Sequence, residues 1–171
     1  MPVEGIEMNQ SKRVGRTDDE NDPHRRDNFT KMKLVLPVGK QKAWELIATP
    51  KGIASWHPLR CEGRVAIGEI LEYFWREGIS ESFAVKYLGA KHSAIQLRWR
   101  DGAILRFYLH GALTTLTLRV EYPATSQGAR NQSAELPYWA FYLANLKSIA
   151  LGGHDLRNDL PGRTWAEGFI D

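Results

Sequence analysis

The chain has 171 residues, enough for one domain with a full hydrophobic core. Its net charge of +3, spread over scattered Lys and Arg, does not make a nucleic-acid surface. No apolar run reaches the length of a membrane span, no signal-peptide stretch opens the chain, and one cysteine, Cys61, rules out an internal disulfide and fits a reducing, cytoplasmic setting.

Residues 1–29 contain the run DDENDPHRRDN and only isolated apolar side chains, so they read as a disordered tail ahead of a domain over 30–152, with an extension over 153–171. Lys31 to Leu36 alternates charged and apolar residues as a half-buried strand does, and Pro37 ends it. Ala43, Trp44 and Ile47 then recur at helical spacing over Lys40–Ala48, and Pro50 closes that helix. A second short helix is expected over Lys51–Ser55, before Trp56-His57-Pro58.

Strands are expected at Arg64–Ala66, Glu69–Arg76, Ser80–Leu88, Ser93–Arg100, Ala103–His110 and Leu113–Tyr122. The connections are short, which makes antiparallel hairpins, and Asp101-Gly102 is the clearest two-residue turn. Pro123–Glu135 is polar and rich in small residues, so it reads as a loop, with a long helix beginning after it. Pro137 suits the first turn of that helix, and Gly152-Gly153 suits its stop.

Strands in succession followed by one helix argue for an α+β fold, the helix covering one face of an antiparallel sheet. Trp139, Tyr142, Leu143, Leu146, Ile149 and Ala150 form its apolar stripe. Alternation turns Leu71, Tyr73, Trp75, Phe83, Val85, Tyr87, Ile95, Leu97, Trp99, Leu105, Phe107, Leu109, Leu116, Leu118 and Val120 toward it. That face is rich in large rings, which on a bent sheet can leave a gap under the helix.

The order of elements, Trp56-His57-Pro58 and the ending WAFYLANLKSIALGGHDLR resemble the START-like (SRPBCC) superfamily. The likeness is strongest to the branch named for the activator of the heat-shock chaperone ATPase, whose last helix reads roughly W-x-x-x-L-x-x-L-K. Here those positions are Trp139, Leu143, Leu146 and Lys147, and the likeness covers about Thr30 to Arg157. It implies a helix-grip fold, a curved antiparallel sheet wrapped around the C-terminal helix with an apolar cavity between. It also implies roles in binding lipids, sterols or polyketides, in cyclising polyketides, or in assisting chaperones. The short His110-Gly111-Ala112 connection departs from the long glycine-rich hairpin of the family, and no chaperone-docking signature is present.

The candidate ligand-binding set is Trp56, His57, Tyr73, Trp75, Phe83, Tyr87, Trp99, Phe107, Trp139 and Tyr142. A ring-lined pocket with few polar groups suits a flat or greasy small molecule, and the competing reading is a plain aromatic core. Tyr73, Tyr87 and Tyr142 could orient a ligand or polarise a carbonyl, or reach the rim as amphipathic core tyrosines. His57 could act as a general base, but a solvated or capping loop histidine is the favoured expectation. Arg98 and Arg106 are expected on the outer face, paired with Glu121 or Glu72, while Glu69 and Glu72 fall on opposite faces of one strand.

The five histidines and Cys61 show no ligand spacing, so neither a metal nor a cofactor is expected. Cys61 reads as a small buried hydrophobe. The aromatics of Thr164–Ile170 are expected to dock back on the domain or on a partner subunit. The first functional expectation is therefore a domain that binds a hydrophobic small molecule without catalysis of its own. The alternatives are a cyclase- or hydrolase-type enzyme, and a chaperone-cofactor or protein-interaction module in which a chaperone or a second copy is the partner.

Overall fold

The computed structural model describes residues 28–157. Most of the expected tail over 1–29, and the Thr164–Ile170 segment, lie outside the described residues. Among the described residues seven strands form one antiparallel sheet: β1 (Phe29–Val35), β2 (Arg60–Gly63), β3 (Ile70–Arg76), β4 (Ile79–Leu88), β5 (Ala94–Arg98), β6 (Ile104–His110) and β7 (Thr115–Glu121). Their order across the sheet is β1-β7-β6-β5-β4-β3-β2, so every neighbour but the β1–β7 pair is joined in sequence. Two short helices, α1 (Lys40–Ala48) and α2 (Pro50–Ala54), follow β1, and α3 (Ser126–Ala150) closes the domain. This is the helix-grip α+β architecture expected from the order of elements.

The alternation in β3, β5, β6 and β7 holds: Leu71, Tyr73, Ile95, Leu97, Leu105, Phe107, Leu109, Leu116, Leu118 and Val120 are all buried. The stripe of α3 meets this face with Trp139, Tyr142, Leu143, Leu146 and Ala150 buried and Ile149 packed at its border. On the outer face Arg106 pairs with Glu121 at 2.5 Å, as expected, and Arg98 is exposed. Asp101-Gly102 forms the expected tight turn, with φ of 51° and 80° and a hydrogen bond from the Ala103 N–H to the Arg100 carbonyl. Positive φ at both central residues is the condition that selects Asp-Gly.

Three expectations are corrected. First, Tyr87 does not face inward. A β-bulge shifts the β4–β5 register between Val85 and Tyr87, and one extra residue reverses every side chain beyond it. Tyr87 is consequently 50% exposed.

Second, Pro123–Glu135 is not all loop. α3 begins at Ser126, ten residues before Leu136, with the Thr125 side chain accepting the Gly128 N–H at 3.0 Å as N-cap. Pro137 thus lies inside the helix, where it withholds one backbone donor but does not end it. Gly128 is required at that start, because a Cβ there would sit 2.0 Å from the Pro123 carbonyl oxygen. Third, the strand expected at Arg64–Ala66 is instead β2 at Arg60–Gly63, paired with β3 from Arg60↔Phe74 to Gly63↔Leu71.

Candidate functional site

The site is built around the loop that leaves α2. Pro50 and the Thr49 cap start α2, and the His57 N–H donates to the Ile53 carbonyl at 3.1 Å, which tightens its exit. Trp56 is fixed from both sides: its indole N–H donates to the Leu46 carbonyl at 2.8 Å, and its own carbonyl accepts from Asn145 of α3 at 2.9 Å. With Trp56 pinned in the core, the next side chain is carried inward. His57 is only 2% exposed, which overturns the expectation of a solvated loop histidine.

Seven rings surround His57. Trp56 and Trp99 stack near-parallel to it, with centroids at 5.0 and 5.8 Å, and Trp139 tilts across it at 5.2 Å. Tyr142, Trp75, Tyr73 and Tyr138 present themselves edge to face at 4.7, 5.2, 5.6 and 5.6 Å. Inside this wall His57 Nε2 and the Tyr138 hydroxyl share a hydrogen bond of 2.6 Å.

Burial, joined by the nearby Arg100 and Arg157 guanidinium groups, pushes the imidazole pKa well below its ordinary 6.5. Burial likewise lifts the Tyr73 and Tyr138 hydroxyls well above their usual range. At neutral pH the contact is therefore a neutral imidazole on a neutral phenol.

Charge gathers at the rim. Arg100 lies over the rings of Trp75, Trp99 and Tyr138 at 4.9, 5.2 and 5.4 Å. It donates from Nε and Nη2 to Glu81 Oε2 at 3.0 and 2.6 Å, and the same oxygen accepts the Trp75 indole N–H.

Deeper along α3, Glu135 accepts from the Tyr122 hydroxyl at 3.0 Å and from the Trp139 indole at 3.3 Å. The buried Trp99 indole N–H is directed at this carboxyl too and favours its charged form. Burial raises the Glu135 pKa above its ordinary 4.5, outweighing these donors and Arg100.

Of the residues singled out in the sequence, Trp56, His57, Tyr73, Trp75, Phe83, Trp99, Phe107, Trp139 and Tyr142 share one ring cluster. Phe83 joins through a 4.2 Å stack on Trp99, and Phe107 through Trp56 at 6.1 Å. Tyr87 stands outside it. The sequence reading missed Tyr138, Arg100, Glu81 and Glu135.

Tyr138 had a signal, since it stands one turn before Tyr142 and beside Trp139. Glu135 had none while its segment read as loop. Cys61 is buried and its thiol is pushed up to about 12, chiefly by burial, so it offers no thiolate. Among the described residues no group of three or more His, Cys, Asp or Glu could hold a metal ion, and no helix is long and apolar enough to cross a membrane.

The fold recurs widely, for 115 chains of solved structures match. The protein SSP2350 from Staphylococcus saprophyticus matches at 16% identity and a TM-score of 0.66, over 75% of this chain and 96% of that one. DynU16, described as a putative protein in the dynemicin biosynthetic locus, matches at 19% identity and 0.64, over 82% and 57%. The Aha1 dimer from Colwellia psychrerythraea matches at 16% identity and 0.58, over 71% and 95%. The likeness establishes the fold. No family model matches the sequence, and no curated protein matches it.

Proposed function

We propose that the chain binds a small hydrophobic or aromatic molecule between the curved sheet and α3, without catalysis of its own. The observation that carries this reading is the buried His57–Tyr138 hydrogen bond within a wall of rings. Apolar walls with one or two placed polar groups are the make-up of small-molecule sites. A flat ligand would stack against half-buried Trp75 and take its polar contact from the pair. The cluster's rings touch one another, so a ligand enters where the rim parts, at half-buried Trp75 and the Arg100–Glu81 pair.

The test is a titration of tryptophan fluorescence in the full chain with sterols, flavonoids and fatty acids, alongside native mass spectrometry of the purified protein. A saturable change is expected with at least one class. Tyr138→Phe should weaken it about fivefold, the worth of one hydrogen bond of about 1 kcal/mol. A flat response to every class from a folded sample overturns the reading.

The same contact supports a second reading, a cyclase- or hydrolase-type enzyme. A neutral imidazole at hydrogen-bond distance from a phenol can relay a proton to or from a bound substrate. Under that reading His57→Ala abolishes turnover and leaves binding measurable.

Kinship with the chaperone-ATPase activator branch rests on Trp139, Leu143, Leu146 and Lys147 and on the likeness to the Colwellia dimer. On that kinship a homodimer or a chaperone contact would use the outer sheet face or the chain ends. A cytoplasmic setting accords with the single thiol of Cys61.

A further inference from the structure

The outer face of the sheet, turned away from α3, collects cations that the sequence spreads from position 31 to position 119. The pairings Lys31↔Arg119 and Arg119↔Arg106 set three of them side by side on β1, β7 and β6. Gln96 of β5 and Tyr87 of β4 continue the same row. With neighbouring strands about 4.8 Å apart, the row runs about 19 Å across the sheet. Lys33 and Tyr108 flank it on one side, and Arg98 and Glu121 on the other.

The charges on this face do not cancel. Across β1, β7, β6 and β5 it carries five cations, Lys31, Lys33, Arg98, Arg106 and Arg119, against one acid, Glu121. Arg106 and Arg119 both pair with the same Glu121 oxygen, at 2.5 and 2.8 Å. One carboxylate thus serves two guanidinium groups. Lys31, Lys33 and Arg98 are exposed, and no carboxylate among the described residues lies within ion-pair distance of them.

Rings stand beside these cations. The β4 bulge leaves Tyr87 50% exposed next to Gln96, and Tyr108 is 36% exposed two residues beyond Arg106. Positive charge without a counterion beside exposed rings suits single-stranded nucleic acid, whose phosphates follow cations while its bases stack on aromatic faces. An anionic membrane would answer the charge alone. Its binding gains from apolar side chains that insert, and on these four strands Val35 is the one exposed aliphatic. An acidic polypeptide would likewise leave both rings without a stacking partner.

We propose that the outer sheet face binds single-stranded nucleic acid, with phosphates along the cations and bases stacked on Tyr87 and Tyr108. The proposal is independent of what the ring cluster binds.

Fluorescence anisotropy of a labelled oligothymidine of about 12 nucleotides, titrated with the full chain, tests it. Saturable binding is expected at low salt, weakening as salt rises because the cations displace counterions from the strand. Lys31→Gln with Lys33→Gln changes two exposed side chains. It should reduce the slope of log K against log salt by about 1.4, at about 0.7 for each phosphate contact on a single strand. Tyr87→Ala and Tyr108→Ala should each weaken binding about fivefold and leave that slope unchanged. In the unaltered, isotope-labelled chain the amide signals of Lys31, Lys33, Gln96, Arg106 and Tyr108 should shift on titration. No saturable binding by a folded sample, or shifts confined to residues off this face, overturns the proposal. Equally tight binding of heparin or phosphatidylserine vesicles, with both tyrosine substitutions silent, makes the face a general anion surface and overturns it as well.

Discussion

At the scale of single residues, the seat of His57 decides both the chemistry of the site and how stability responds to pH. An unfolded imidazole takes a proton near 6.5, whereas burial, with Arg100 and Arg157 nearby, delays protonation in the fold to a much lower pH. Below 6.5 the unfolded state therefore binds more protons, and stability falls with pH through the interval between the two values. Glu135 acts in the opposite sense, since its raised pKa lets the fold gain stability as pH drops toward 4.5. Asp155 enters only lower. Burial works to raise its pKa, but the Arg157 hydrogen bonds prevail and hold it below 3.8. Tyr73, Tyr138 and Tyr142, the other titratable groups against the imidazole, are all raised and stay neutral. Melting temperature followed from neutrality downward should fall more steeply in the native chain than in His57→Phe. Parallel curves would assign the loss to another group.

At the scale of elements, two local breaks in pattern carry the differences between sequence and structure. The bulge in β4 is one extra residue near Lys86, and nothing in the alternation of Phe83, Val85 and Tyr87 announces it. It sends Tyr87 outward and leaves the ring cluster to the other nine candidates. The first ten residues of α3 are polar because they reach past the core to the sheet end. There Asn131 donates to Asp101 at 2.8 Å and Gln132 to the Phe29 carbonyl at 2.8 Å. A helix so placed shows no apolar stripe, and only its Thr125 cap marks it. Gly128→Ala should destabilise the protein by about 2 kcal/mol through the clash with the Pro123 carbonyl. Thr125→Ala should cost about 1 kcal/mol through the lost cap. Urea unfolding measures both, and two neutral substitutions would return the segment to loop.

At the scale of the whole molecule, Asn145 joins parts far apart in sequence. It is fully buried in α3 and hydrogen-bonds the Trp56 carbonyl, the Asp155 carboxylate and the Leu156 N–H. One side chain thereby fixes the loop that carries His57 and the start of the C-terminal extension. Asn145→Ala should cost about 2 kcal/mol, the scale for stranding buried hydrogen-bonding groups. Amide exchange should quicken together at residues 55–59 and 155–157. Faster exchange at only one of the two would show that they are held separately.

The sequence by itself determined the α+β class, the antiparallel meander, the inward faces of β3, β5, β6 and β7 and the ring-rich stripe of α3. Those features follow from periodicities of two and 3.6 residues, which a side-chain pattern records directly. Only the tertiary structure decided that His57 is buried, that Tyr138 is its partner, and that Arg100, Glu81 and Glu135 converge on the same rings. Each of those depends on contacts between residues far apart in the chain, as with His57 and Tyr138, 81 positions apart. A local pattern carries no record of them, because burial of a polar side chain is set by the groups that meet it from other elements.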